Sequence, residues 1–240
     1  MTVVQIPSDD PSTGTWEALM DICAKQPAGW TLIGAQMVAL HGYEHEVSMH
    51  RVSDDADLLV DVRLIPKMIS SFSEFLIAQG FSLEGINREG IGHRFVRGPL
   101  VLDVLAPDGL HVERSNVTTI PPARTVMVPG GTQGLKRTEV VDVRTDEKEG
   151  KIPRPSLAGA IVLKARAVTV DDVPEAQLRD LAFLLGLVAD PVGLKEELTP
   201  KEVGYLRPLV EKLTDSSPVW RAVPAQRRSD AQAALAYVLG

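Results

Sequence analysis

The chain is 240 residues long, enough for one large or two modest domains at about 150 residues each. Its 44% hydrophobic and 24% charged content excludes whole-chain disorder, collagen-like sequence and coiled coil, and predicts a folded soluble protein. With 25 basic against 32 acidic residues, the net charge of −7 excludes indiscriminate coating of nucleic acid, so any such contact must be local.

Met1 to Pro11 carries no basic patch followed by an apolar run, so no signal peptide is read there and a cytoplasmic location is expected. Thr15 to Lys25 reads as a helix with Trp16, Leu19, Met20 and Cys23 on one face, stopped by Pro27 and Gly29. Cys23, the single cysteine, is expected as a small core hydrophobe. Trp30 to Ile33 reads as a short strand, and Gly34-Ala35 opens a helix carrying Met37, Val38 and Leu40 as far as Gly42. A polar loop, Tyr43 to Ser53, leads to a strand over Ala56 to Val62. Pro66 to Ala78 follows as an amphipathic helix ending at Gly80.

His93 to Val96 and Leu100 to Leu105, joined by Arg97-Gly98-Pro99, read as a hairpin, so the sheet is expected to be mixed or antiparallel. Further strands are expected at Thr125 to Val128 and Thr138 to Val143, and Asp146 to Gly150 reads as a charged break. A domain boundary placed there divides the chain into residues 1–150 and 151–240. Beyond it the pattern is helical: Ser156 to Thr169, Glu175 to Ala189, Pro200 to Leu213, and Gln232 to Leu239. The longest apolar stretches, such as 181–189, fall far short of the ~20 residues of a membrane span, so no membrane partner is expected.

The chemistry concentrates in the segment from Ser53 to Val62. Side chains on a strand alternate faces, so Ala56, Leu58, Val60 and Val62 must look at the core while Asp55, Asp57 and Asp61 share the other face and Asp54 does not. Two carboxylates held together repel, an arrangement made tolerable by a divalent cation, usually Mg²⁺ shared with phosphate oxygens. Asp103 is the only charge in the apolar run Leu100 to Leu105. With the two strands side by side, Asp103 joins Asp55 and Asp57 as a three-carboxylate cluster able to hold two metals for in-line phosphoryl or nucleotidyl transfer. The competing reading is a solvent edge, with Asp103 paired to a nearby arginine.

Lys164 falls on the same helical stripe as Leu157, Ala160, Ile161 and Val168, so it needs a partner on the buried side. That partner is either a ligand or, structurally, Asp180, unless the lysine reaches out to solvent. His41, Glu44, His45 and His50 resemble a metal cluster, but Gly42 is read as interrupting the helix, which leaves loop histidines. Gly130-Gly131-Thr132-Gln133-Gly134 lacks the lysine of a phosphate-binding loop and reads as a turn or hairpin loop.

The ordered set Leu32-Ile33-Gly34-Ala35 with His41-Gly42, Arg51-x-Ser53-x-Asp55-x-Asp57, and Val101-Leu102-Asp103-Val104-Leu105 resembles the DNA polymerase β-type nucleotidyltransferase superfamily. Arg154-Pro155-Ser156-Leu157 with Lys164 and Arg179-Asp180-Leu181 is similar to the helical half of the AbiEii/AbiGii-like (MenT-like) toxins of toxin–antitoxin systems. The resemblance implies an α+β fold, with a nucleotidyltransferase domain of mixed sheet followed by a helical lobe. It implies Mg-dependent transfer of a nucleoside monophosphate from an NTP, with tRNA 3′ ends as acceptor and a cognate antitoxin as partner. Asp55, Asp57 and Asp103 take the role of metal ligands, and Lys164 meets the triphosphate with Asp180 in support. Gly34 and Ala35 form the nucleotide-binding turn. Ala35 brings no hydroxyl to a phosphate, so Ser53 is the substitute contact. The same metal site would serve a small-molecule acceptor such as an antibiotic, and a non-catalytic binding protein could share the fold. RNA would be held by basic residues gathered along one route, for which Arg51, Lys136, Arg137, Arg166 and Arg179 are the candidates.

Overall fold

The computed structural model describes residues 3–48, 53–65, 67–108, 117–171 and 174–240; His50, Arg51 and Pro66 lie outside these. β1 (Val4–Gln5) precedes α1 (Thr13–Lys25), whose Trp16, Leu19, Met20 and Cys23 are all buried as the periodicity requires. β2 (Trp30–Ile33) runs directly into α2 (Gly34–Glu44), and then come β3 (Asp55–Val60), α3 (Met68–Ala78), β4 (Ser82–Leu83), β5 (Arg94–Arg97), β6 (Leu100–Pro107) and β7 (Met127–Val128). The larger sheet has the order β2-β3-β6-β5-β4, with β7 beside the end of β6. β3 and β6 are parallel, whereas β2-β3, β5-β6 and β4-β5 are antiparallel, so the sheet is mixed. A parallel pair cannot be joined by a tight turn. The chain between β3 and β6 accordingly contains α3 and the two strands of the far edge.

α4 (Gly131–Lys136) leads to β8 (Thr138–Arg144) and β9 (Glu149–Pro155), which form a second sheet of order β1-β8-β9. The helical remainder comprises α5 (Leu157–Val168), α6 (Glu175–Leu185), α7 (Pro191–Glu197), α8 (Pro200–Leu206) and α9 (Arg228–Leu239). Ser156 caps α5 by accepting from the Gly159 N–H, Asp190 caps α7, and Thr199 with Glu202 forms a capping box on α8. One continuous apolar core includes residues of α1, both sheets and the helices that follow. No helix of the described residues is long and apolar enough to cross a membrane.

Several local expectations are corrected. Gly42 does not end α2, which continues to Glu44. A Cβ at Gly42 would come 2.4 Å from the Val47 carbonyl oxygen and 3.0 Å from the Phe183 ring, so the glycine serves close packing, not termination. The Gly130–Gly134 segment is no hairpin loop: Gly130, at φ +81°, turns the chain into α4, where Gly131 and Gly134 let the backbone press on Pro107 and Leu163. The charged segment Asp146 to Gly150 belongs to the β8-β9 hairpin and is no break in the strand pattern: residues 145–148 connect the strands, and Glu149 and Gly150 already pair with Arg144 and Val143. β9 contains Pro153 and Pro155, which an edge strand can accommodate because one side of its backbone needs no partner. The strand expected at Thr125 shrinks to Met127–Val128, the helix expected to Leu213 ends at Leu206 before a 3₁₀ turn, and α7 lies where no helix was expected.

Candidate active site

β3 begins at Asp55, and the alternation holds: Ala56, Leu58 and Val60 are fully buried while Asp55 and Asp57 point to the opposite face. That opposite face is open only at its acidic end. Leu59 is buried farther along it, beneath α4, where a Cβ on Gly131 would lie 3.2 Å from the Leu59 side chain. Asp61 is past the end of the strand and pairs with Arg63 at 2.7 Å; Asp54 is exposed.

The register of three strands sets the acids in a row. Asp57 on β3 stands beside Asp103 on β6, and Asp103 stands beside Arg94 on β5. Adjacent strands are about 4.8 Å apart, so these side chains are immediate neighbours. Arg94 grips Asp103 with both ends of its fork: Nε donates to Oδ1 at 2.9 Å and Nη2 to Oδ2 at 2.8 Å. The same Nη2 donates to Asp55 Oδ2 at 3.0 Å. Glu84 stands 4.0 Å behind the guanidinium and His93 3.8 Å from Asp103. These carboxylates hold the Arg94 charge more firmly than an ordinary guanidinium, the hydrogen bond to Asp103 first among the causes.

Ser53 donates to Asp55 Oδ1 at 2.6 Å, so its hydroxyl orients a carboxylate. Its carbonyl accepts from Gln36 Nε2 at 2.7 Å and from Ser12 Oγ at 3.2 Å, which fixes the approach of the chain to β3. Gln36 and Ser12 are positioning residues that no local pattern revealed.

At the β2-to-α2 turn, Gly34 has φ +73°, and a Cβ there would fall 1.9 Å from Asp57 Oδ2. Only glycine fits against that carboxylate. No side chain caps α2, so its first backbone N–H groups remain for other acceptors, and Ala35 behind them is buried. A cavity of about 170 Å³ opens here, lined by Gly34, Asp57, Met37, Lys164 and Gln177. Lys164 is 4% exposed and donates to Asp180 Oδ2 at 2.8 Å and to Gln177 Oε1 at 3.0 Å. The buried lysine therefore has its structural partner in Asp180 and also borders the cavity of Asp57. Arg166 points elsewhere and lies over the Tyr205 ring, 4.6 Å from its centre.

Burial first, then the charges of Asp55 and Asp103, push the Asp57 carboxyl up to about 6; Lys164 and Arg94 offset this in part. The Asp57 carboxylate accepts no hydrogen bond from a described side chain. A carboxylate under this strain, beside two others and facing a cavity, is a donor set that a hard divalent cation suits. Among the described residues, no group of three or more His, Cys, Asp or Glu side chains is gathered closely enough to cage an ion as it stands. Arg94 occupies Asp55 and Asp103 instead.

The histidine cluster is not a metal centre among the described residues. His41 is buried in α2, not in a loop, with Nε2 3.1 Å from the Pro155 carbonyl oxygen and 3.1 Å from Arg154 Nη1; burial pushes its pKa well down. Glu44 pairs with the wholly buried Arg154, which also donates to Glu139 at 2.8 Å. Of the basic candidates for RNA, Arg137 is taken up by Glu202 at 2.6 Å, while Lys136 and Arg179 are exposed.

No protein-family model and no curated protein matches the chain. Among solved structures, it is similar to an antigenic nucleotidyltransferase-like protein from Paracoccidioides brasiliensis, at 13% identity and a TM-score of 0.51, over 90% of this chain and 94% of that one. The likeness is one of fold: the chain has a nucleotidyltransferase-like α+β architecture.

Proposed function

We propose that the protein is a divalent-cation-dependent nucleotidyltransferase that moves a nucleoside monophosphate from an NTP to an acceptor hydroxyl and releases pyrophosphate. The observation that carries this reading is Asp57 at one cavity with the Gly34 turn and Lys164, with Asp103 beside it in the strand register and Asp55 on the same face of β3. In it, Asp55, Asp57 and Asp103 would hold Mg²⁺. Bound there, the ion supplies charge neutralisation at phosphate oxygens. Lys164 offers the triphosphate a cation from inside the cavity, with Asp180 fixing its direction. The uncapped start of α2 offers N–H groups to phosphate, and Ser53 keeps Asp55 aimed at the cluster. Asp103 would help deprotonate the acceptor hydroxyl once Arg94 releases its oxygens. Residues 1–150 carry the acids and residues 151–240 supply Lys164 and Asp180, with β9 crossing between these two parts.

Within this reading the chain is a toxin of the AbiEii/AbiGii-like kind, acting in the cytoplasm on tRNA 3′ ends and neutralised by a cognate antitoxin; its motif order supports this, and Lys136 and Arg179 are exposed cations that RNA could meet. A second reading, a binding protein without catalysis, is favoured by one observation, the occupation of Asp55 and Asp103 by Arg94. Incubation with each labelled NTP, Mg²⁺ and total RNA separates them. Label transferred by the wild type and not by Asp57→Ala supports the enzyme, transfer only to small molecules moves the acceptor, and NTP binding without any transfer supports the second reading.

A further inference from the structure

The row of charged groups has a hollow at each end. Asp57, Asp103 and Arg94 stand on β3, β6 and β5, so the row spans two strand spacings, about 10 Å. At the Asp57 end is the cavity of Gly34 and Lys164. At the Arg94 end is a separate groove of about 480 Å³, lined by Glu84, Ile86, Asn87 and His93 as well as Arg94. His93 stands 3.8 Å from Asp103, so an occupant of the groove is within one side chain of that acid.

The walls of the groove are firmly built. The chain segments that continue β4 and precede β5 are tied by the Glu84 N–H to the Arg94 carbonyl at 2.9 Å and by the Asn87 N–H to the Ile91 carbonyl at 2.8 Å. The tip is fixed by Asn87 Oδ1, which accepts from the Glu89 and Ile91 N–H groups, and by Arg124, whose Nη2 donates to the Glu89 carbonyl at 2.8 Å. With Oδ1 engaged, the Asn87 amide keeps its N–H groups for a ligand. Ile86 is 48% exposed. An apolar surface, an amide donor and the Glu84 carboxylate together suit a neutral ring that carries hydroxyls, which can lie on Ile86 and donate to Glu84. A phosphate in the same place would meet the charge of Glu84. Cations for a phosphate are at the tip instead, where Arg88 is exposed and Arg124 half-buried.

We infer that this groove holds the acceptor by its terminal ribonucleoside: an RNA end whose free ribose diol is turned to Asp103 and whose next phosphate runs out toward Arg88 and Arg124. The inference rests on the nucleotidyltransferase reading and adds to it the place of the acceptor. In phosphoryl transfer the attacking and leaving oxygens lie roughly in line, on opposite sides of the phosphorus. With the triphosphate at Lys164, the attack comes from the Arg94 end of the row. The acceptor oxygen bonds to the α-phosphorus, the bond from that phosphorus to the bridging oxygen breaks, pyrophosphate leaves with the electron pair, and the hydroxyl proton passes to Asp103.

Gly85 supplies the test. A Cβ there meets nothing within 4 Å, so Gly85→Trp can fill the groove without straining the fold. Ile86→Ser strips the apolar surface and, being a change at an exposed position, guards against misfolding of the first variant. Binding of end-labelled tRNA to the full-length protein is followed by fluorescence anisotropy, NTP binding by calorimetry, and transfer with labelled NTP and Mg²⁺. Both variants should weaken tRNA binding and raise the KM for tRNA by about tenfold, with NTP affinity and melting temperature kept. The wild type should bind periodate-treated tRNA, whose terminal diol is opened, as poorly as the variants bind intact tRNA. Unchanged tRNA binding and transfer in both variants, or equal binding of intact and opened tRNA, overturns the groove assignment and leaves the enzyme reading standing. Transfer by the wild type only to a small hydroxyl compound overturns the ribonucleoside as occupant. No transfer by the wild type to any acceptor overturns the enzyme reading and the inference with it.

Discussion

Asp57→Asn removes a charge that the fold resists without changing the size of the side chain. The Asp57 carboxyl moves from an ordinary 3.8 to about 6, and about 2 pH units at 1.36 kcal/mol each amount to roughly 3 kcal/mol. The sign follows from the raised value. Below about pH 4 the group is protonated in folded and unfolded chains alike and nothing is lost. As pH rises from 4 through 6, the unfolded chain ionises first, and the native state loses stability until about pH 6, after which the deficit is constant. Asp57→Asn in a chelator should therefore melt higher than the wild type at pH 8, by about 2–4 °C per kcal/mol regained for a chain of this size, and should match it at pH 4. Differential scanning calorimetry across that range reads the effect directly. A gain of equal size at every pH, or no gain at pH 8, would refute the claim that Asp57 is held ionised against burial and against Asp55 and Asp103. The same variant should have lost nucleotidyl transfer, so stability and activity move in opposite directions.

Lys164→Met should cost about 3–5 kcal/mol in chemical denaturation by breaking the buried ion pair with Asp180. Joined with Asp180→Asn it should recover most of that loss, while NTP affinity measured by calorimetry stays low; recovered affinity would make the lysine purely structural. Gly34→Ala forces a Cβ within 1.9 Å of Asp57 Oδ2 at a positive φ, so a drop in melting temperature is expected together with a loss of transfer larger than the stability change explains. Lys136→Glu with Arg179→Glu alters two exposed cations and should lower RNA modification and flatten its dependence on salt, with NTP affinity kept; an unchanged salt slope would remove RNA as the acceptor.

Much of the site could be read before any coordinates because its signals are local. Period-two alternation assigned Asp55 and Asp57 to one face, and a lone acid in an apolar run marked Asp103. Lys164 stood out as a charge on an apolar helical stripe. Arg94 was within reach by the same arithmetic. Once Arg97-Gly98-Pro99 is taken as a turn that pairs Arg97 with Leu100, the residue opposite Asp103 is Arg94. Gln36 and Ser12 were beyond such reasoning, for they act on the Ser53 carbonyl across 17 and 41 positions of chain. Glycine misled twice, at Gly42 and in the Gly130–Gly134 run, because local rules treat it as a breaker where tertiary packing needs only the absence of a side chain. β9 was hidden by its prolines, which are tolerable only because the strand lies at an edge, a fact of topology and not of sequence.

Arg154 lies far from the acids, yet its surroundings bear on them. Its guanidinium is shared among Glu44 at the end of α2, Glu139 on β8 and the Pro155 carbonyl, with His41 alongside. α2 is an 11-residue helix, about 16 Å long, and its opposite end is Gly34, in contact with Asp57. The helix is thus a lever whose far end is bolted to the second sheet. A tilt of only a few degrees at the bolt would swing the Gly34 backbone by a good part of an ångström, the scale on which a carboxylate gains or loses a ligand. The burial of an arginine so far from the chemistry becomes intelligible as the fixing of an angle.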